Sequence, residues 1–154
     1  MALIQVKISN HYDRLNSPEH TTRALFKAIE RSKKFPIKPG ELSVAFVNDV
    51  QISEIHADFL DKQAPTDVIT FQADTQMQSA GEIIVSVDHA QSRAEELNVC
   101  FSRELCLYLI HGWLHLSGYD DRNESQRLKM RNAEQNALAI LEKAQLTDAF
   151  TLNS

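Results

Sequence analysis

The stretch "FSRELCLYLIHGWLHLSG", Phe101 to Gly118, limits what this chain can fold into more than any other segment. Leu105, Cys106, Leu107, Tyr108, Leu109, Ile110, Trp113, Leu114 and Leu116 leave it almost no polar face. A helix apolar all round belongs inside a protein. No apolar run in the chain reaches the roughly 18 residues that would span a bilayer, so no membrane partner is expected. The segment therefore predicts a central buried helix over about residues 102–117, with the remaining elements built around it.

Those elements read as strands first and helices later. Alternation in "LIQVKIS" (Leu3, Val6, Ile8) predicts a first strand, "ELSVAFVN" reads as a second closed by Asn48-Asp49, and the short β-branched runs "DVITF" and "GEIIVSV", separated by the polar loop "QADTQMQSA", predict two more. Between them, "SPEHTTRALFKAIERSKK" has helical spacing at Ala24, Leu25, Ala28 and Ile29, with Ser17 as expected N-cap and Pro18 at the first helical position. "VQISEIHADFLDKQ" has it at Ile52, Ile55 and Phe59, ending at Pro65. Downstream, "DHAQSRAEEL" is a short helix. "NESQRLKMRNAEQNALAILEKAQ" is an outer one, with an apolar stripe at Met130, Ala133, Ala137, Ile140/Leu141 and Ala144. The expected fold is α/β of the α+β type: a small mixed sheet of about four strands, packed helices and one central helix. With no repeat or linker in its 154 residues, the chain reads as a single domain over 1–154, with a flexible tail from about 147 to 154.

Composition excludes some partners. The formal net charge is −5 and the pI about 5.6, so the surface as a whole is not a nucleic-acid glove. Positive charge is local instead, at Lys27, Arg31, Lys33, Lys34 and Lys38, and at Arg122, Arg127, Lys129 and Arg131, and either group alone reads first as a solvated helix face. Cys100 and Cys106 lack CxxC spacing and sit in apolar company, which predicts two reduced, buried thiols of a cytoplasmic protein. The N-terminal residues show no signal-peptide pattern.

The central helix ends in "HGWLHLSGYDD", His111 to Asp121. Histidines four apart on a helix lie about 6 Å apart along the axis and about 40° around it, so both imidazoles point toward one place. Gly118 can end the helix in a left-handed conformation and bring Asp120 or Asp121 back to that place. Half-buried histidines also arise as mere hydrogen-bonding partners. Here, however, they sit in an apolar helix, where unpaired polar groups cost free energy, and carboxylates follow the glycine. Two imidazoles and one carboxylate suit zinc with one position left for water, whose pKa falls to about 7, and this implies hydrolysis. The glutamate of an HExxH peptidase is replaced by Gly112, which disfavours peptidase chemistry. Asp67, Glu82 and Asp88 are further acid/base candidates, each of which also suits a cap or turn.

These residues resemble a known family. "HGWLHLSGYDD" is similar to the H-G-x-L-H-L-x-G-Y-D-H signature of the bacterial YbeY endoribonucleases. "PTDVITF" resembles the family's P-T-D-V-L-S-F, and "GEIIVSVDHA" its G-D-I-x-I-S segment, in the same order over about residues 40–140. The resemblance implies a single-strand-specific, metal-dependent endoribonuclease acting in 16S rRNA 3′-end maturation and ribosome quality control. Its implied partners are single-stranded rRNA, the small ribosomal subunit and the GTPase Era. His111 and His115 match the first two zinc ligands, and the third falls on Asp121 where the family usually has histidine, with Asp120 as its substitute. The carboxylate makes the site more tolerant of harder cations such as Mn2+. A second departure is Leu60, where the family carries an arginine facing the metal cleft. Lys62 is the nearest cation for a phosphate contact. These departures keep two other functions open: a ribosome-associated assembly factor with little catalysis, and a metal-dependent hydrolase of a non-RNA substrate.

Overall fold

A computed structural model describes residues 3–60 and 67–153. The elements are β1 (Ile4–Asn10), α1 (Glu19–Ser32), β2 (Gly40–Val47), α2 (Asp49–Leu60), β3 (Val68–Phe71), β4 (Ser79–Ser86), α3 (Val87–Leu97), α4 (Phe101–Leu116) and α5 (Glu124–Lys143). The sheet order is β1-β2-β4-β3. β1 pairs parallel with β2 and β2 with β4, whereas β3 pairs antiparallel with β4. Parallel pairs need long crossovers, and α1 lies within the connection from β1 to β2. The short β3–β4 connection, tied by Asp74 to Ser79, allows the antiparallel pair. The mixed α/β fold with four strands is the one expected from the sequence.

Alternation distributes the strands between two apolar layers. Leu42, Val44, Phe46, Ile83 and Val85 face the main core, shared with α1, α3, α4 and α5. Val47, Ile69 and Ile84 face the other side, where Ile52 of α2 closes a smaller core. The central strand β4 is thus apolar on both faces. In β1 the inward positions are Ile4, Val6 and Ile8, while Leu3 precedes the strand and is exposed.

α4 is buried as its composition requires, with Leu105, Leu109, Ile110 and Leu114 fully covered. Each such side chain contributes roughly 1.5–3 kcal/mol on burial. The burial is not uniform around the helix. Arg103, Leu107, His111 and His115, spaced at four, form its one partly open stripe. The two histidines therefore occupy the edge of α4 that solvent can reach. Gly112 turns the other way, onto β4: a Cβ there would lie 2.7 Å from Ile83 Cγ2. A glutamate at this position would meet Ile83 from its Cβ onward, so the α4–β4 contact leaves no room for the side chain of an HExxH motif.

Several expectations are corrected. The segment from 147 is not a free tail: Phe150 is buried, its N–H donates to Ser102 Oγ, and Leu152 bridges Leu15. Phe150 completes the core beside Phe46, a long-range contact that local composition does not reveal. Cys106 is buried, and burial pushes its thiol up to about 12, but Cys100 is exposed at the N-cap of α4. Ser17 does not cap α1, because its φ of 24° removes it from the extended geometry a capping side chain needs. Pro18 stands at the cap, and its carbonyl accepts from both Thr22 N–H and Thr22 Oγ1. On α5 the buried stripe runs through Leu138 and Leu141 and leaves Ala144 exposed. Lys62 and Pro65, and with them the expected end of the second helix, lie outside the described residues.

Candidate metal centre

α4 ends as the glycine suggested. The Tyr119 N–H donates to Leu114 O at 3.0 Å, and Gly118, at φ 104°, turns the chain back. α5 then starts at once. Asn123 Oδ1 accepts from the Gln126 N–H at 2.8 Å, and Gln126 Oε1 accepts from the Arg122 N–H at 3.0 Å, a reciprocal cap that holds the intervening turn.

The turn delivers Asp121 to the histidines. Asp121 Oδ2 lies 3.4 Å from His111 Nε2 and 3.6 Å from His115 Nε2, and the two Nε2 atoms are 3.1 Å apart. Among the described residues, His111, His115 and Asp121 are the one group of ligand-type side chains close enough to share an ion, within 4.8 Å of one another. Asp120 does not substitute: its Oδ2 is 3.1 Å from Arg122 Nε, and its Oδ1 accepts from the Asp121 N–H. Successive side chains of a turn point apart, so only one of the two aspartates can face the histidines.

The far nitrogens of both rings are engaged. His111 Nδ1 is 2.7 Å from Glu134 Oε2 on α5, and His115 Nδ1 is 3.1 Å from the Tyr119 carbonyl. Facing acceptors, both Nδ1 atoms carry the proton, which leaves lone pairs on both Nε2 atoms. Two lone pairs 3.1 Å apart repel, so the arrangement calls for a shared cation or proton. Ring nitrogens held from behind by a carboxylate and a carbonyl are also how metal-binding histidines are oriented. The local field agrees. Burial disfavours the charged form of His111, but the hydrogen bond and charge of Glu134, with Asp67 and Asp121, outweigh it and raise its pKa above the ordinary value. The donor set of two imidazoles and a carboxylate fits a divalent cation.

The remaining candidates separate. Asp67 lines a pocket beside His111. Asp88 instead accepts from Tyr12 Oη at 2.6 Å and from the Asp49 N–H at 2.9 Å, tying α2 and α3 to the end of β1. Burial and this bond push the Tyr12 hydroxyl up to about 12. Glu82 is exposed on β4. Lys27, Arg31 and Lys33 line a separate groove of about 660 Å3 with Phe35 and Trp113. Arg127 reaches the Asp121 carbonyl at 3.4 Å, beside the candidate ligands. Leu60 ends α2, and no cation stands at that position. Sequence reasoning missed Glu134 and Glu104. The available signal was a charge in an apolar stripe: Glu134 shares the face of Met130, Ala137 and Leu141, and Glu104 stands in the most buried helix.

A mixed α/β scaffold that presents His–His–Asp from a buried helix and its turn defines a candidate metal-site hydrolase. The chain matches the family described as Endoribonuclease YbeY over residues 5–142. It is 35% identical over 141 residues to an Endoribonuclease YbeY of Halalkalibacterium halodurans, covering 82% of this chain and 89% of that one. To the Endoribonuclease YbeY of Agrobacterium fabrum it is 32% identical over 156 residues, covering 92% and 93%. The solution structure of TM1509 from Thermotoga maritima superposes with a TM-score of 0.61 at 25% identity, covering 95% and 96%. The chain belongs to the YbeY endoribonuclease family. Among the described residues, no helix is long and apolar enough to cross a membrane.

Proposed function

We propose that this protein is a metal-dependent endoribonuclease that cuts single-stranded RNA and acts in 16S rRNA 3′-end maturation and ribosome quality control. The observation that carries the reading is the convergence of His111 Nε2, His115 Nε2 and Asp121 Oδ2, each imidazole oriented from behind by a fixed acceptor. Zinc is the first choice of ion for this donor set, and the carboxylate also suits Mn2+. Bound there, such an ion supplies Lewis acidity toward a phosphoryl oxygen and activates water for attack.

The chain's own residues do the positioning. Glu134 and the Tyr119 carbonyl hold the two rings so that their Nε2 atoms face Asp121. Arg127 and Lys129, exposed beside the turn, place positive charge where an RNA backbone would approach, within a chain that is otherwise acidic. Lys62 is a further candidate for phosphate contact. The setting of the activity would be cytoplasmic, with the small ribosomal subunit and the GTPase Era as its proposed partners.

The test is cleavage of a fluorescent single-stranded RNA by protein freed of contaminating nuclease. Cleavage should stop with chelator, return with Zn2+ or Mn2+, and be lost in His115→Ala. Cleavage that persists in His115→Ala overturns the reading.

A further inference from the structure

His111 belongs to two places at once. Its Nε2 edge faces His115 and Asp121, and the same residue forms a wall of a cavity of about 220 Å3 lined also by α3, α4 and Asp67. Three carboxylates reach this cavity, from Asp67, Glu104 and Glu134, together with the donors of Arg93 and His89. Among the described residues, these acids do not form a group tight enough to share an ion, so a second metal is not what the lining suits. Nor is it a phosphate pocket, because three carboxylates would repel one.

What fits is a flat, neutral ligand that carries hydrogen-bond donors. Glu104 is only 8% exposed. Burial pushes its carboxyl above the ordinary range, with Asp67 adding to the rise and Arg93 opposing it. Tyr108 Oη already donates one hydrogen bond to that carboxyl, and the N–H groups of a partner would satisfy the acceptor capacity that one donor leaves over. The Tyr108 and His89 rings, 5.9 Å apart, give the cavity aromatic surface. Single-stranded RNA offers such a ligand, since its unstacked bases can be turned out, stacked on aromatic side chains and read along their edges. Carboxylates read exocyclic amino groups, as in acidic contacts to the cytosine N4 amine.

We propose that this cavity is a base-recognition subsite, which takes one amino-bearing nucleobase of a single-stranded RNA and reads its edge with Glu104 and Arg93. The proposal rests on the endoribonuclease reading and adds a substrate preference to it. Uracil is disfavoured, because it turns a carbonyl oxygen toward the carboxylates where cytosine presents an amine.

The experiment measures fluorescence anisotropy of the metal-loaded full chain with cleavage-resistant 2′-O-methyl phosphorothioate hexamers of cytidine and of uridine. The expected result is about tenfold tighter binding of the cytidine hexamer, falling to about one-to-one in Glu104→Gln, whose amide can accept from the cytosine amine or, turned over, donate to the uracil carbonyl. His89→Ala, a substitution at a half-buried wall position, should narrow the ratio too and carries the test if Glu104→Gln does not fold. Equal binding of both hexamers by the unaltered protein, or a ratio that neither variant changes, overturns the subsite. Absence of binding to either hexamer overturns it as well. Cleavage without base preference sinks the subsite alone, whereas base preference without cleavage sinks the nuclease reading alone.

Discussion

Replacing Gly112 with alanine probes how closely α4 is pressed onto the sheet. In an open helix interior the change would stabilise, since alanine is favoured over glycine by about 1 kcal/mol. Here the new Cβ would lie 2.7, 3.0 and 3.1 Å from Cγ2, Cγ1 and Cδ1 of Ile83. Ile83 is fully buried on β4, between β2 and β3, so it cannot swing out into solvent to make room. Overpacking of this kind costs about 1–3 kcal/mol, and a contact this short belongs in the upper half of that range. The net is a destabilisation of about 1–2 kcal/mol, which for a domain of this size lowers Tm by roughly 4 °C. Circular dichroism melts and urea titrations read it directly. The sign should reverse when the obstacle is removed. Ile83→Ala alone costs about 2–5 kcal/mol, but in that background Gly112→Ala should stabilise by about 1 kcal/mol. A Tm at or above that of the unaltered protein for Gly112→Ala alone, or additive effects in the double variant, would refute the argument.

Other consequences follow from the same geometry. Glu134→Gln should weaken zinc affinity about 10–100-fold in competition with a chromophoric chelator, because His111 loses its orienting carboxylate. Asp120→Ala should change that affinity by less than about threefold, and a larger loss would make Asp120 a ligand after all. Phe150→Ala should cost about 3 kcal/mol in chemical denaturation, as for other buried aromatics, whereas a free tail would cost nothing. Glu104 has its folded pKa raised above the ordinary 4.5, so the folded state binds this proton more tightly than the unfolded one. The stability it contributes is present below the ordinary value and is lost as pH rises through the raised one. The Tm of Glu104→Gln relative to the unaltered protein should therefore climb between acid and neutral pH, and a flat difference contradicts the assignment.

Much of the fold was legible because its signals are local. Alternation marks β1, short β-branched runs mark β3 and β4, helical spacing marks α1, α2 and α5, and the all-apolar run of α4 requires a place at the centre wherever the other elements fall. The histidine pair was legible for the same reason: its geometry belongs to one helix, and Gly118 carries the turn within a few residues. Capping was less legible. Ser17 has the right side chain for an N-cap, but its positive φ leaves the cap at Pro18.

Sequence by itself thus determined the elements, the central helix and the histidine pair with a following aspartate pair, since each depends on backbone periodicity over short spans. Only the folded geometry decided between Asp121 and Asp120, because the turn after Gly118 carries Asp121 Oδ2 to both Nε2 atoms and leaves Asp120 facing Arg122. It also brought Glu134 from α5 to the back of His111, packed Phe150 into the core, and turned Gly112 onto Ile83 instead of toward the histidines. These contacts join residues far apart in the chain or on different faces of one helix, and no local pattern encodes such distances. Packing must bring the elements together before a carboxylate in an apolar stripe can be recognised as the support of a metal-facing histidine.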